Sequence, residues 1–187
     1  MNQSQYMLVP AISSYPGNQG KAFAVLRWLV KHEMVEPTLS VCGLNGSQGY
    51  AMGKGAMKAF KGTIAEKDLP WDKPNGLVLI TDRCVFAPNG GAKARCPECR
   101  KAVSIALWEH VEEWVARETD NFMCPHCAFE DDINGFVFTP ACAFSDLGFI
   151  FTNWPGEHFN DFFIQEIKSR LGFGLCRVQA TYQALEG

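Results

Sequence analysis

Two short cysteine pairs constrain this chain more than any other feature. Cys96-Pro97-Glu98-Cys99 and Cys124-Pro125-His126-Cys127 repeat one grammar: a thiol, a proline, a variable residue and a second thiol. Two thiolates separated by two residues reach one ion from a tight turn, and proline after the first cysteine helps to set that turn. Two such turns supply four sulfurs to one tetrahedron, which zinc accepts without geometric penalty. The expected ligands are therefore Cys96, Cys99, Cys124 and Cys127, holding one structural Zn2+ per chain. A shell closed by four sulfurs leaves no position for water, so the ion is expected to stabilise rather than catalyse. Four-sulfur iron is the main chemical rival, and a disulfide redox switch is the third reading. His126 competes only weakly as a ligand, because the middle residues of such a turn point away.

The pattern resembles the zinc-ribbon family over about Lys93 to Asp132. The resemblance implies a structural four-cysteine zinc at these positions. Between the pairs, however, Leu107, Trp108, Val111, Trp114 and Val115 recur at helical spacing, where a simple ribbon has strands. A ribbon with a helical insert is expected. The whole chain also resembles a group of small, uncharacterised bacterial proteins, some of them labelled sugar-transporter ATPases.

That label finds no chemistry here. Gly49-Tyr50-Ala51-Met52-Gly53-Lys54-Gly55 is one residue short of a phosphate loop and has glycine where a magnesium-binding hydroxyl belongs. Leu44-Asn45-Gly46-Ser47-Gln48 is similar to the transporter signature but has no lysine loop before it. No nucleotide site is expected. His110-Val111-Glu112 precedes Cys-Pro rather than Pro-Cys, unlike the zinc deaminases. It reads as a solvated helix face beside Glu109 and Glu113. His32-Glu33-Met34-Val35-Glu36 lacks the second histidine of a metalloprotease. No nucleophile elbow is present. The reading leans away from an enzyme.

The remaining cysteines, Cys42, Cys84, Cys142 and Cys176, stand alone among apolar or small neighbours and read as buried thiols. Residues Met1 to Tyr6 show neither the cationic start nor the apolar stretch of a secretory leader. The longest apolar runs, such as Leu77 to Ile80, fall far short of the ~18 residues of a membrane span. A reducing, cytoplasmic setting is expected.

Along the chain, Tyr6 to Ile12 reads as a strand and Asn18 to Lys31 as an amphipathic helix. Pro37 to Gly62 is glycine-rich and stays ambiguous. Leu77 to Phe86 reads as a strand or hairpin. Phe136 to Ala143 and Gly148 to Asn153 read as two strands around Ser145-Asp146. Phe159 to Leu171 reads as a helix closed by Gly172, and Cys176 to Gln183 alternates as a half-buried strand. The fold class is α+β, a mainly antiparallel sheet with helices on one face, of which a ferredoxin-like sandwich is one version. Residues 1–88 and 134–187 together form the main domain, and 89–133 an inserted four-cysteine module.

Charge then sorts the functions. The chain has 187 residues and net charge −3, too few cations to coat nucleic acid or anionic membrane. From Lys93 to Asp132 five cations face nine anions, and four thiolates with one dication bring that segment to −6. An acidic module suits a protein partner, especially a basic one. The leading expectation is a non-enzymatic protein acting through such a partner, with an inhibitor or immunity protein as one version. The second is a nucleic-acid-binding regulator, using Lys93, Arg95, Arg100 and Lys101 with Lys54, Lys58 and Lys61. The third is an enzyme of unknown reaction with a cleft near Trp71, Trp154 and His158. Trp108 and Trp114 are expected to pack the module onto the main sheet.

Overall fold

The first strand, β1 (Gln3–Pro10), is buried on both faces from Tyr6 onward, and a strand of that kind belongs inside a sheet. A computed structural model, which describes residues 2–183, places it there. The chain continues through α1 (Asn18–Lys31), β2 (Val35–Val41), β3 (Gln48–Met52), β4 (Gly76–Ile80) and β5 (Cys84–Phe86). It then forms β6 (Lys93–Arg95), α2 (Ser104–Val115), β7 (Asn121–Met123), β8 (Glu130–Asp132) and β9 (Val137–Thr139). Last come β10 (Ala143–Ser145), β11 (Gly148–Thr152), α3 (Asp161–Leu171) and β12 (Leu175–Tyr182). Six strands make an antiparallel sheet in the order β12-β1-β11-β4-β3-β2. Three two-stranded ribbons accompany it: β5–β10, β6–β9 and β7–β8. The class is α+β, as the sequence implies.

The alternation of β1 divides the interior. Tyr6 and Leu8 join Phe149 and Phe151 of β11 beneath α1 and α3, which contribute Val25, Leu29, Phe163 and Ile167. Met7 and Val9 face the other way with Val178 and Ala180, and the β5–β10 ribbon covers them with Phe86 and Ala143. The contact is close enough to require glycine at 148, where a Cβ would lie 2.3 Å from the Phe86 ring.

Several elements depart from the sequence reading, each for a local reason. The last helix starts at Asp161, not Phe159, because the Asn160 side chain accepts the Phe163 amide at 2.8 Å and caps it. Phe159 is left free to stack on Phe60. The stretch 136–143 is broken at Pro140 into β9, which pairs with β6, and β10, which pairs with β5. So β10 and β11 enter different sheets rather than pairing around Ser145-Asp146. The stretch 77–86 divides likewise, with β4 in the large sheet and β5 in the ribbon. The ambiguous glycine-rich region holds β2 and β3.

A buried arginine ties α2 to the sheet. The Arg83 side chain is 3% exposed and donates to the carbonyls of Trp114 and Thr119 at 2.6 and 3.0 Å. It also donates to the Ser14 hydroxyl and pairs with Asp120. Its guanidinium lies over the Trp114 ring. Trp114 is buried, its indole N–H donates to the Ser13 hydroxyl at 2.8 Å, and its ring meets Phe144 edge-on. Trp108 also packs on Phe144. Both tryptophans therefore pack against the β5–β10 ribbon rather than against the large sheet, where the sequence reading put them.

Candidate metal centre

Each cysteine pair sits in a tight turn, and the two turns are built alike. In the first, the Cys96 amide donates to the Lys101 carbonyl and the Arg100 amide to the Cys96 carbonyl, both at 3.0 Å. In the second, the Cys124 amide donates to Phe129 at 2.8 Å and the Ala128 amide to Cys124 at 3.0 Å. The fifth residue of each turn is left-handed, Arg100 at φ 61 and Ala128 at φ 60. Short strands β6 and β7 deliver the two turns. The core beneath them is Leu107, Trp114, Phe122, Ile133 and Phe136.

The left-handed conformation costs an L-residue about 1–2 kcal/mol, partly offset in the comparison with glycine by glycine's greater unfolded-state freedom. Ala128→Gly is therefore expected to leave the protein as stable as before or up to ~1 kcal/mol more stable. Urea unfolding checks this, and a loss above that size would show that the Ala128 methyl carries packing.

The turns bring Cys96, Cys99, Cys124 and Cys127 together, with all four sulfurs within 4.8 Å of one another. Across the turns, Cys96 lies 3.7 Å from Cys127 and Cys99 lies 3.7 Å from Cys124. A tetrahedron with metal–sulfur bonds of about 2.3 Å has edges of about 3.8 Å, so this spacing fits a four-sulfur shell. The donor set fits a soft or borderline cation. Burial works against ionising Cys124, but the amides of His126 and Cys127 and the neighbouring sulfurs more than offset it, and its thiol is held below the usual range. At Cys127 the Phe129 amide favours the thiolate, yet burial and the sulfurs of Cys96, Cys124 and Cys99 outweigh it and push that thiol up. Four close sulfurs do not all ionise without a cation among them.

His126 is no part of this set. Its ring nitrogen lies 3.2 Å from the Ala102 carbonyl, while its backbone amide donates to the Cys124 sulfur at 3.4 Å. His110 does not lie on an open helix face. Its ring rests against Phe122, with Nε2 2.8 Å from the Asn121 carbonyl, and so joins α2 to β7. Lys93, Arg95, Arg100 and Lys101 are all exposed around the first turn. Lys54 instead pairs with Glu33, and Lys58 donates to the His32 carbonyl, so both are engaged at the end of α1. Trp154 is buried among Phe60, Phe151 and Phe159 and offers no surface to a substrate. His158 pairs loosely with Glu157 at 3.7 Å, and Trp71 donates to the Glu66 carbonyl.

The lone thiols are mixed in burial: Cys42 and Cys142 are buried, Cys84 and Cys176 half-buried. Burial pushes Cys142 up to about 12. No helix among the described residues is long and apolar enough to cross a membrane.

The arrangement thus defines a four-thiol cluster compatible with a bound metal ion. Comparison of the chain with protein-family models, with curated proteins and with solved structures finds no match.

Proposed function

We propose that this chain is a non-enzymatic, cytoplasmic zinc-binding protein of zinc-ribbon type that acts by holding a basic protein partner. An inhibitor or immunity protein is the version its size and acidity favour. Zinc in the four-cysteine shell stabilises the segment 89–133 and takes no part in chemistry. The observation that carries the partner reading is a groove beside the second cysteine turn. It has a volume of about 540 Å3 and is walled by Ala102, Ile105, Ala106, Pro125, His126 and Glu109. Ile105 is 79% exposed, on the helix that also carries Glu112 and Glu113 to solvent. An apolar anchor point beside carboxylates suits a basic segment with one apolar side chain.

The test starts from the zinc-loaded protein and its Ile105→Lys variant, each used to capture partners at low salt. The reading expects a basic protein retained in stoichiometric amount by the parent, rebuilt from purified components, and lost at least tenfold with the variant. Equal retention by both, or none by the parent, counts against it. The second reading rests on the four exposed cations around the first turn. It expects nucleic-acid affinity that collapses with salt and with Arg95→Glu/Arg100→Glu.

A further inference from the structure

The six-stranded sheet is forked. Strands β3 and β4 have five residues each, but they pair only at Tyr50 with Leu77 and at Ala51 with Gly76. The same register would set Gly49 against Val78 and Gln48 against Leu79, and neither pair forms. The opposite edges of both strands stay paired. β4 runs against β11 from Gly76 to Ile80, and β3 keeps to β2 through Gly49 and Gln48. So β3 parts from β4 at Tyr50 and takes β2 with it.

Main-chain groups face the gap this leaves. A Cβ on Gly49 would lie 2.8 Å from the Leu77 carbonyl oxygen, so that carbonyl points across to β3. In an antiparallel sheet the amide and carbonyl of one residue point to the same side, and the side alternates along the strand. The amide and carbonyl of Leu79 therefore point into the gap as well. Among the described residues no strand stands opposite them. Val78, Leu79 and Ile80 are only half-buried, although β4 lies inside the strand order. The gap opens into a hollow of about 200 Å3 walled by Phe23 of α1, Leu39 of β2, Tyr50 and Leu79, with Gln48 and Thr81 at its ends. No charged residue among those described lines it. Phe23 and Leu39 are both exposed there.

These features select the occupant. A strand edge with free amides and carbonyls is met by another extended main chain, and a pocket beside it takes a side chain of that segment. The hollow's 200 Å3 falls below the ~300–1,000 Å3 of small-molecule sites and suits one large side chain of a longer partner. A charged side chain would shed its water there without meeting a counter-charge. We propose that the fork between β3 and β4 binds an extended peptide segment of a partner protein. The segment adds as a strand along the Leu79 edge of β4 and sets an uncharged, apolar side chain between Phe23 and Leu39. The site is separate from the cysteine cluster and from the groove at Ile105, and it does not depend on the reading given to either.

The test is selection of displayed random heptapeptides on the full metal-loaded chain, followed by titration of the enriched sequences as blocked synthetic peptides. These are expected to carry an apolar residue in common and to saturate with a dissociation constant below about 1 mM. Exchange of the Leu79 amide is expected to slow at least tenfold in the complex. Methylating every second peptide amide, in one of the two phases, removes the donors that face β4 and is expected to weaken binding at least tenfold. Phe23→Lys and Leu39→Lys change exposed positions and are expected to do the same while the melting temperature holds. Should either variant fail to fold, Leu79 exchange and the methylated peptides still decide. No enriched peptide that saturates below about 1 mM overturns the proposal. So does binding that leaves Leu79 exchange unchanged or tolerates methylation in both phases. Slowing of Leu79 exchange with protein concentration alone would give the gap to a second copy of the chain, and overturns it too.

Discussion

Stripping the metal with a strong chelator is expected to unfold the segment around the cysteine turns while leaving the six-stranded sheet standing. Protein purified without added metal is expected to carry one zinc per chain by elemental analysis. The energetic ground is the site itself. Structural four-ligand zinc sites contribute an apparent ~10–16 kcal/mol, as large as a whole domain's typical net stability of about 5–15 kcal/mol. Strands β6, β7 and β8 have three residues each, too short to hold two turns in place. Amide exchange reads the outcome residue by residue. Protection at Leu107, Trp114 and Phe122 is expected to vanish with chelator, and that at Leu8, Phe149 and Phe151 to persist. Cys96→Ser is expected to do the same, since Cys96 is buried and lies 3.7 Å from Cys127 across the cluster. Full protection in metal-free protein would end the structural-zinc reading. Iron with a coloured absorption band would replace it with a redox role.

The second large effect is expected at Arg83. Arg83→Met keeps most of the side-chain length but removes every donor. The Thr119 carbonyl then loses its partner inside the protein, the Trp114 carbonyl keeps only the Arg117 amide, and Trp114 loses the cation over its ring. Breaking a buried ion pair from one side costs about 3–5 kcal/mol. Asp120 is 41% exposed and recovers water, which moves the expectation to the lower end of that range. A loss of ~3 kcal/mol corresponds to about 1–3 M in the urea midpoint at usual slopes. Asp82→Ala is the control. Asp82 also pairs with an arginine, Arg117 at 2.7 Å, but on the surface, where solvent screens such pairs and they contribute little. Equal small losses at both positions would mean that the buried guanidinium holds nothing together.

What the sequence discloses depends on how local the physics is. The first helix can be read to its ends, Asn18–Lys31, because its buried Ala22, Val25, Leu26 and Leu29 recur at helical spacing. The last strand can be read because Val178 and Ala180 alternate with exposed residues. The cysteine pairs declare themselves because two thiols three positions apart are already neighbours. By contrast β2 buries only Val35 of its seven residues, as an edge strand, and leaves no alternation to read. The separation of β9, β10 and β11 depends on partners 40 to 150 residues away, which no local pattern encodes. Arg83 carries no motif, and its importance appears only when α2 and Ser14 close around it.

The strand order has a consequence for synthesis. β1 emerges from the ribosome before the other strands described, yet its two neighbours, β11 and β12, come from the last forty residues described. Its buried segment, Tyr6 to Pro10, must wait unpaired until β11 and β12 are made, whereas the cysteine turns close over short spans and are complete before either strand. A nascent chain of this protein therefore carries closed cysteine turns, with four thiols placed for an ion, beside an unfinished sheet. That interval is when an unpaired apolar strand is most open to capture by chaperones or to pairing with a neighbouring chain.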